Sequence, residues 1–255
     1  MDDKHPDHGL DISEDQGVRY LHFGSEWVQG AMRIRRPWAL ELDYTRDMMA
    51  GLLLHEPPWP GHALLVGLGA GSLAKFLWRN LPATRTTVFE IDPRIPVLAR
   101  HFFRLPEEDE RLKIRIGDGA ELMARSRRRH DLILVDGFDH EASAGALDSL
   151  AFYRDCRERM ARDAVFVTNL FGDERGFRDA VARIEEAFAG RVLALPPCPG
   201  GNVIVIAVTG TAHVVPLAEL RRRAETIRRE TGLDLRPTLT RLRREKTLPD
   251  GILRL

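Results

Sequence analysis

Two carboxylates, Asp136 and Asp139, have the residue type and spacing best suited to chemistry in this sequence. They follow the apolar run Asp131–Val135, which predicts a buried strand, so both belong to one loop at a strand end. A carboxylate there can take the proton that an alkylammonium group must lose before its nitrogen attacks, and a second carboxylate can hold the cation in line. Asp139 could equally serve the turn itself.

Three glycines at alternate positions, Gly67, Gly69 and Gly71, lie between another apolar run and a segment with helical spacing. Glycines let the backbone turn tightly and let a ligand approach the free N–H groups of a helix N-terminus. The motif alone could be an ordinary tight turn. However, Glu90 follows about twenty residues further on, at a strand end where doubly wound folds bind ribose hydroxyls. Together these residues predict a nucleoside-binding half-domain.

A third candidate group is Asp118, which lies between Gly117 and Gly119 after the next predicted strand. Its carboxylate can accept from the exocyclic amino group of adenine while an adjacent backbone N–H serves a ring nitrogen. Asp118 could instead cap the following helix. A later strand ends at Asn169. Because the carboxyl ends of parallel strands share one edge of a sheet, we expect these groups to line one crevice.

From Ala63 onward the pattern alternates between strand and helix, as a parallel sheet requires. The predicted strands are Ala63–Val66, Thr86–Ile91, Lys113–Ile116, Asp131–Val135, Ala164–Leu170, Arg191–Leu195 and Asn202–Val208, and the predicted helices are Ser72–Asn80, Ile95–Phe103, Gly119–Arg125, Leu150–Met160 and Gly176–Ala189. The last two strands are joined by a turn too short for a crossover helix, so they should be antiparallel. This is an α/β, Rossmann-like fold with a seven-stranded, mostly parallel sheet and an antiparallel last strand, as in S-adenosylmethionine-dependent transferases.

The catalytic domain is predicted to span residues 57–210, with smaller segments on either side. Residues 1–12 have the composition of a disordered segment. Residues 13–56 should form a small N-terminal β-hairpin module, from Val18–Phe23 and Trp27–Ile34, and a linking helix over Leu40–Leu54. Residues 211–255 should form an Arg-rich helix and a tail packed on the outside of the domain.

The overall composition excludes several classes of protein. Lys and Arg total 38 and balance 38 Asp and Glu, so the net charge gives no reason to expect nucleic acid or an anionic membrane as a partner. The two cysteines, Cys156 and Cys198, are far apart, and neither they nor the scattered histidines show the spacing of a metal site. The polar start and the lack of a long apolar run predict a cytoplasmic protein.

Three of these stretches resemble conserved segments of a known family. They are Val88-Phe-Glu-Ile-Asp-Pro93, Ile114-Arg-Ile-Gly-Asp-Gly-Ala-Glu-Leu-Met123 and His130-Asp-Leu-Ile-Leu-Val-Asp-Gly-Phe-Asp139. They are similar to the ribose-binding strand, the adenine-binding segment and the signature of the spermidine/spermine synthase family, the polyamine aminopropyltransferases. The resemblance runs from about Val18 to Val208.

The resemblance implies a role for each candidate residue. Glu90 would bind the ribose hydroxyls, and Asp118 and Gly119 the adenine. Asp136 would be the proton acceptor, and Asp139 would bind the amine substrate.

The resemblance also extends upstream of the sheet. Tyr44 falls where the family has a tyrosine that contacts substrate, and Gln29 lies in Trp27-Val-Gln-Gly30, which is similar to the hairpin that precedes the family's core. Both would therefore bind substrate. The implied co-substrate is decarboxylated S-adenosylmethionine, with no permanently bound cofactor and no metal. The implied acceptor is a small polyamine such as putrescine, and a homodimer is possible.

The sequence departs from the family's pattern on the polyamine side. Ala70 stands where the family's glycine loop has an Asp, Thr45 where it often has Gln or His, and Cys198 where it has a tyrosine. An S-adenosylmethionine-dependent methyltransferase on the same fold is therefore an alternative, because Ala70 removes a charge that would repel the donor's carboxylate. An adenosyl-binding homologue without catalysis is another. A dehydrogenase is disfavoured because Gly71 comes one position too early for its fingerprint.

Overall fold

The computed structural model describes residues 9–23, 28–137, 145–171 and 176–255, so Trp27 and Asp139 lie outside the described residues. At the N-terminus, β1 (Leu10–Asp15), β2 (Val18–Phe23) and β3 (Val28–Arg33) form an antiparallel sheet in that order. The predicted hairpin is the pair β2 and β3. The prediction of disorder was wrong for residues 10–12, because these residues pair with β2 in the register Leu10 to Phe23.

The segment between the two sheets is helical but is not one regular helix. It begins with α1 (Asp43–Met48) and continues as a 3₁₀ helix over Met49–Leu54, whose six residues are all buried. This tighter turn packs on the central sheet, where a side-chain carbon added to Gly51 would lie 3.0 Å from Val165. The predicted single helix over Leu40–Leu54 is thus shorter and divided.

The central sheet has seven strands in the order β6-β5-β4-β7-β8-β10-β9. Strands β4 to β8 pair in parallel, and β10 is antiparallel to both β8 and β9. This confirms the predicted fold class. The strands are β4 (His62–Val66), β5 (Arg85–Glu90), β6 (Leu112–Ile116), β7 (His130–Val135), β8 (Met160–Phe171), β9 (Val192–Ala194) and β10 (Asn202–Val208).

Helices cover both faces of this sheet. They are α2 (Ser72–Asn80), α3 (Arg94–Phe103), α4 (Gly119–Arg125), α5 (Leu150–Glu158) and α6 (Phe177–Ala187), with a short 3₁₀ helix at Gly145–Asp148. Alternate strand residues enter two hydrophobic clusters, with Leu65 and Leu134 in one and Leu64 and Ile133 in the other. Burial on both faces is why these strands have continuous apolar sequences.

The C-terminal residues form β11 (Val214–Pro216), α7 (Leu217–Thr231), α8 (Arg236–Arg244) and β12 (Ile252–Arg254), with β11 paired to β12. Helix α8 lies against α1 through a buried polar contact: Thr238 Oγ1 donates to Asp47 Oδ1 at 2.5 Å, and Arg241 forms an ion pair with the same carboxylate. Across the described ranges, every helix is too short or too polar to cross a membrane.

The free energy of unfolding should depend on pH because of His130, the first residue of β7. It is 2% exposed, and neither ring nitrogen has a hydrogen-bond partner among the residues that the structure describes. Burial lowers the pKa of His130 from 6.5 to about 4. The folded state therefore favours the neutral ring. The neutral ring's contribution to folding stability is fully present above pH 6.5 and is lost as the pH falls toward 4. We expect a loss of about 3 kcal/mol over that interval.

The measurement is the free energy of unfolding in denaturant between pH 4 and pH 8. We expect His130→Leu to flatten the acidic part of this profile, because leucine cannot take up a proton. His101→Leu, at an exposed position of α3, is the matched control and should keep the wild-type slope. An unchanged slope in His130→Leu would show that another group is responsible.

Candidate active site

The ends of β4 and β7 meet at the centre of the carboxyl edge of the sheet. The backbone N–H of Asp136 donates to the carbonyl oxygen of Val66 at 2.9 Å. Gly67 has a φ of +96°, and a side-chain carbon there would lie 2.2 Å from the carbonyl oxygen of Asp136. Only glycine permits this approach. The glycine turn and the predicted catalytic carboxylate are therefore direct neighbours.

Asp136 is held by two side chains from other elements. Tyr44, on α1, donates its hydroxyl to Oδ2 at 3.1 Å, and Asn169, on β8, donates its Nδ2 to Oδ1 at 3.0 Å. Burial raises the pKa of Asp136, and the bonds from Asn169 and Tyr44 oppose that rise. Burial and the neighbouring Asp136 charge together raise the pKa of Tyr44. The tyrosine thus stays a hydrogen-bond donor, and burial makes Asp136 easier to protonate than an exposed carboxylate.

The carboxylate of Glu90 lies at the end of β5 and is 7% exposed. Its Oε2 accepts from the backbone N–H of Leu68 and its Oε1 from that of Asp92, both at 2.9 Å. Burial raises the pKa of Glu90 despite these bonds. Glu90 therefore anchors the glycine turn to the end of β5.

Asp118 caps α4. Its Oδ1 accepts from the backbone N–H groups of Ala120 at 2.8 Å and Glu121 at 3.0 Å, so the cap considered from the sequence is present. The cap holds the carboxylate at the end of β6, one strand from Glu90. Gly119 begins α4 so close to the end of β4 that an added side-chain carbon would lie 2.6 Å from Val66.

The N-terminal sheet lies directly over the glycine turn. A side-chain carbon on Gly30 would lie 2.5 Å from Cβ of Ala70, which is 2% exposed, and one on Gly69 would lie 3.1 Å from the carbonyl oxygen of Gln29. Strand β3 thus covers the position where the sequence has Ala70 in place of an acidic residue. Gln29 lies beside the glycine turn through its backbone, whereas Tyr44 is in direct contact with Asp136.

The sequence-based site does not include two residues that the structure brings to it. Asn202, at the start of β10, donates its Nδ2 to Asn169 Oδ1 at 3.0 Å. Ile91 follows Glu90 with its side chain 67% exposed, although it is large and apolar. A polar residue opening the otherwise apolar β10 was the available signal for Asn202. For Ile91 the only signal was its position next to Glu90.

A family model described as "Spermine/spermidine synthase domain" matches residues 42–195. The chain belongs to the spermine/spermidine synthase family. The polyamine aminopropyltransferase of Neisseria meningitidis is 39% identical over 232 residues, which cover 91% of this chain and 88% of that protein. That of Chromobacterium violaceum is 36% identical over 92% of this chain and 89% of its own. These relatives confirm the resemblance and the transferase class predicted from the sequence.

Solved structures with the same fold include both synthases and methyltransferases. A probable spermidine synthase from Corynebacterium glutamicum aligns with a TM-score of 0.70 at 20% identity, covering 88% of this chain and 91% of its own. Human methyltransferase-like protein 13, in complex with SAH, aligns with a TM-score of 0.67 at 23% identity, covering 75% and 93%. At identities of 20–23%, these alignments establish the fold of this family member but not its reaction. The reaction has to be inferred from the residues of the site.

Proposed function

We propose that the protein transfers the aminopropyl group of decarboxylated S-adenosylmethionine to a diamine such as putrescine, releasing methylthioadenosine. The observation that carries this proposal is the partly buried carboxylate of Asp136, held by Tyr44 and Asn169 beside the glycine turn. The relatives that are 36–39% identical over about nine-tenths of the chain are polyamine aminopropyltransferases, which supports the same reaction.

The donor would bind along the ends of β4, β5 and β6. The turn of Gly67, Gly69 and Gly71 brings backbone close to the ligand, and Glu90 accepts the ribose hydroxyls. Asp118 and Gly119 receive the adenine, and the exposed side chain of Ile91 offers an apolar surface at the same edge. Ile91 adjoins Gly117, whose N–H donates to the carbonyl oxygen of Glu90 at 2.8 Å.

The transfer is a displacement at the carbon next to the sulfonium. The amine nitrogen forms a bond to that carbon, the carbon–sulfur bond breaks, and its electron pair neutralises the sulfur. Asp136 takes the proton that the alkylammonium group must lose, and its raised pKa makes it a better acceptor near neutral pH. Tyr44 and Gln29 would help to position the acceptor. The role of Asp139 in binding the amine stays a prediction.

The test is an incubation of the purified protein with decarboxylated S-adenosylmethionine and a panel of diamines, read by mass spectrometry. We expect methylthioadenosine and a diamine that has gained one aminopropyl group. The carboxylated donor is run in parallel, since Ala70 leaves no negative charge at its position. Adenosylhomocysteine from that donor, with no product from the decarboxylated one, would identify a methyltransferase instead. No turnover of either donor would overturn the proposal.

Glu90→Gln is expected to weaken binding of methylthioadenosine by about 10- to 100-fold, which corresponds to about 1.5–3 kcal/mol. The amide replaces one carboxylate oxygen with an NH₂ group, which would face the ribose or a backbone N–H that now donates to Glu90. Isothermal titration calorimetry measures the affinity. Glu110→Gln, at an exposed position, is the control. Equal affinity of both variants for methylthioadenosine would show that Glu90 does not bind the donor.

The remaining properties expected from the sequence stay predictions. They are a cytoplasmic location, possible homodimerisation, and the absence of a permanently bound cofactor, a metal and a nucleic-acid partner. Within the part of the chain that the structure describes, no group of three or more His, Cys, Asp or Glu residues is placed to hold a metal ion.

A further inference from the structure

A pair of buried asparagines on the neighbouring strands β8 and β10 extends the contacts of Asp136. Asn169 on β8 is 4% exposed and Asn202 on β10 is 9% exposed. In the antiparallel ladder Asn169 lies opposite Ile204, so Asn202 is its diagonal neighbour on the same face. The two amides are joined by the bond from Asn202 Nδ2 to Asn169 Oδ1, at 3.0 Å.

The carboxylate of Asp136 fixes the direction of every bond in this chain. An ionised carboxylate only accepts hydrogen bonds, so the NH₂ group of Asn169 must face Asp136 and its oxygen must face Asn202. Asn202 must then direct its own NH₂ group at that oxygen. Its Oδ1 is left facing Cys198, whose Sγ lies 4.0 Å away and can donate weakly. Reversing one amide would set two oxygens against each other.

We propose that Asn202 is a positioning residue, which holds the amide of Asn169 with its NH₂ group directed at Asp136. Without Asn202, the buried oxygen of Asn169 loses its donor, and of the two side-chain bonds described for this amide only the one to Asp136 still favours its present orientation. Rotation by half a turn would place that oxygen next to the carboxylate and disfavour its ionised form. This inference rests on the proposed role of Asp136 as proton acceptor.

Few polar groups of the described residues act on this carboxylate from the elements around it. Tyr44 faces it from α1 and Asn169 from β8. Cys198, in the turn before β10, contributes to the environment of Tyr44. Beyond Cys198 the charges are Asp47 on α1 and Arg241 on α8, which act on the thiol with opposite signs. Removing Asn202 therefore changes the environment of Asp136 through Asn169.

The test is the pH profile of kcat for aminopropyl transfer in Asn202→Leu, a substitution of similar size without a donor. Protonation of Asp136 should produce a break in the acid limb of the wild-type profile. In Asn202→Leu we expect this break at a pH higher by about one unit, and therefore about tenfold lower turnover below it. Donor affinity should be unchanged. Asn202→Ala serves as the second variant if Asn202→Leu does not fold.

A double-mutant cycle separates positioning from a general structural effect. Asn169→Leu should shift the break by itself, and adding Asn202→Leu to it should shift the break no further, because Asn202 acts only through Asn169. The chain's third asparagine, Asn80, lies at the end of α2 and provides the matched control, Asn80→Leu, which should keep the wild-type profile.

An unshifted break in Asn202→Leu, the lack of any break in the wild type, or additive shifts in the double variant would overturn the inference. Asp136→Asn distinguishes this failure from that of the proposed function. Full activity of Asp136→Asn would show that Asp136 is not the proton acceptor, and the proposed function of this residue would be wrong. If that variant is inactive and Asn202→Leu keeps the wild-type profile, only the positioning role of Asn202 is lost.

Discussion

Asp136→Asn is expected to lower kcat/KM for aminopropyl transfer by about 10²- to 10⁴-fold, the usual range for loss of a general base. The amide has the shape of the carboxylate, so the packing beside Gly67 should persist, but it cannot accept the proton of the alkylammonium group. It also sets an NH₂ group against Tyr44 or Asn169, both of which now donate to the carboxylate. Steady-state kinetics with decarboxylated S-adenosylmethionine and putrescine measure the effect.

Two further measurements decide whether this loss is chemical. The affinity for methylthioadenosine should stay near the wild-type value, because the proposed donor site lies at the ends of other strands. Asp179→Asn removes an exposed carboxylate from the first turn of α6 and should leave the kinetics unchanged. Turnover by Asp136→Asn within threefold of the control corresponds to a difference in activation free energy of less than about 0.7 kcal/mol. Such a result would show that another group accepts the proton.

The central sheet could be predicted from sequence because its signals are local. Strand β10 was predicted with its observed bounds, Asn202–Val208, since its residues are apolar and buried throughout. The reversed pairing of β10 followed from the short turn before it. The three-stranded N-terminal sheet was harder, because β1 is mostly exposed and charged and gains its order by pairing with β2. The division of the linking segment into α1 and a 3₁₀ helix depends on close packing against β8.

In the candidate site, too, some features could be predicted from local sequence signals and others depend on tertiary packing. Strand-end positions identified Asp136, Glu90 and Asp118, because a parallel sheet brings such positions to one edge. The contact between Tyr44 and Asp136 joins residues 92 positions apart and was not predicted, because the family resemblance indicated only that Tyr44 contacts substrate. The pairing of Asn169 with Asn202 depends on the strand register, which no local pattern specifies. Residue types and strand ends predict which groups are present, and tertiary packing decides their partners.

Arg241→Met is expected to destabilise the folded protein by about 3–5 kcal/mol, because it leaves a buried carboxylate without its cation. The side chain of Asp47 is 4% exposed and that of Arg241 is 17% exposed. The only other side-chain donor to Asp47 given by the described residues is the hydroxyl of Thr238, at 2.5 Å. Burial already raises the pKa of Asp47 against the effects of Thr238 and Arg241. Chemical denaturation at pH 7 to 8 measures the loss.

Matched variants identify the ion pair as the cause. Arg243→Met changes an exposed arginine of the same helix and should cost less than about 0.5 kcal/mol. Adding Asp47→Asn to Arg241→Met should recover part of the stability, because the charge that lost its partner is removed. Equal stability of Arg241→Met and Arg243→Met would show that the contact contributes nothing. Because α8 lies outside the matched residues 42–195, a loss in Arg241→Met would show that this C-terminal helix contributes to the stability of the fold.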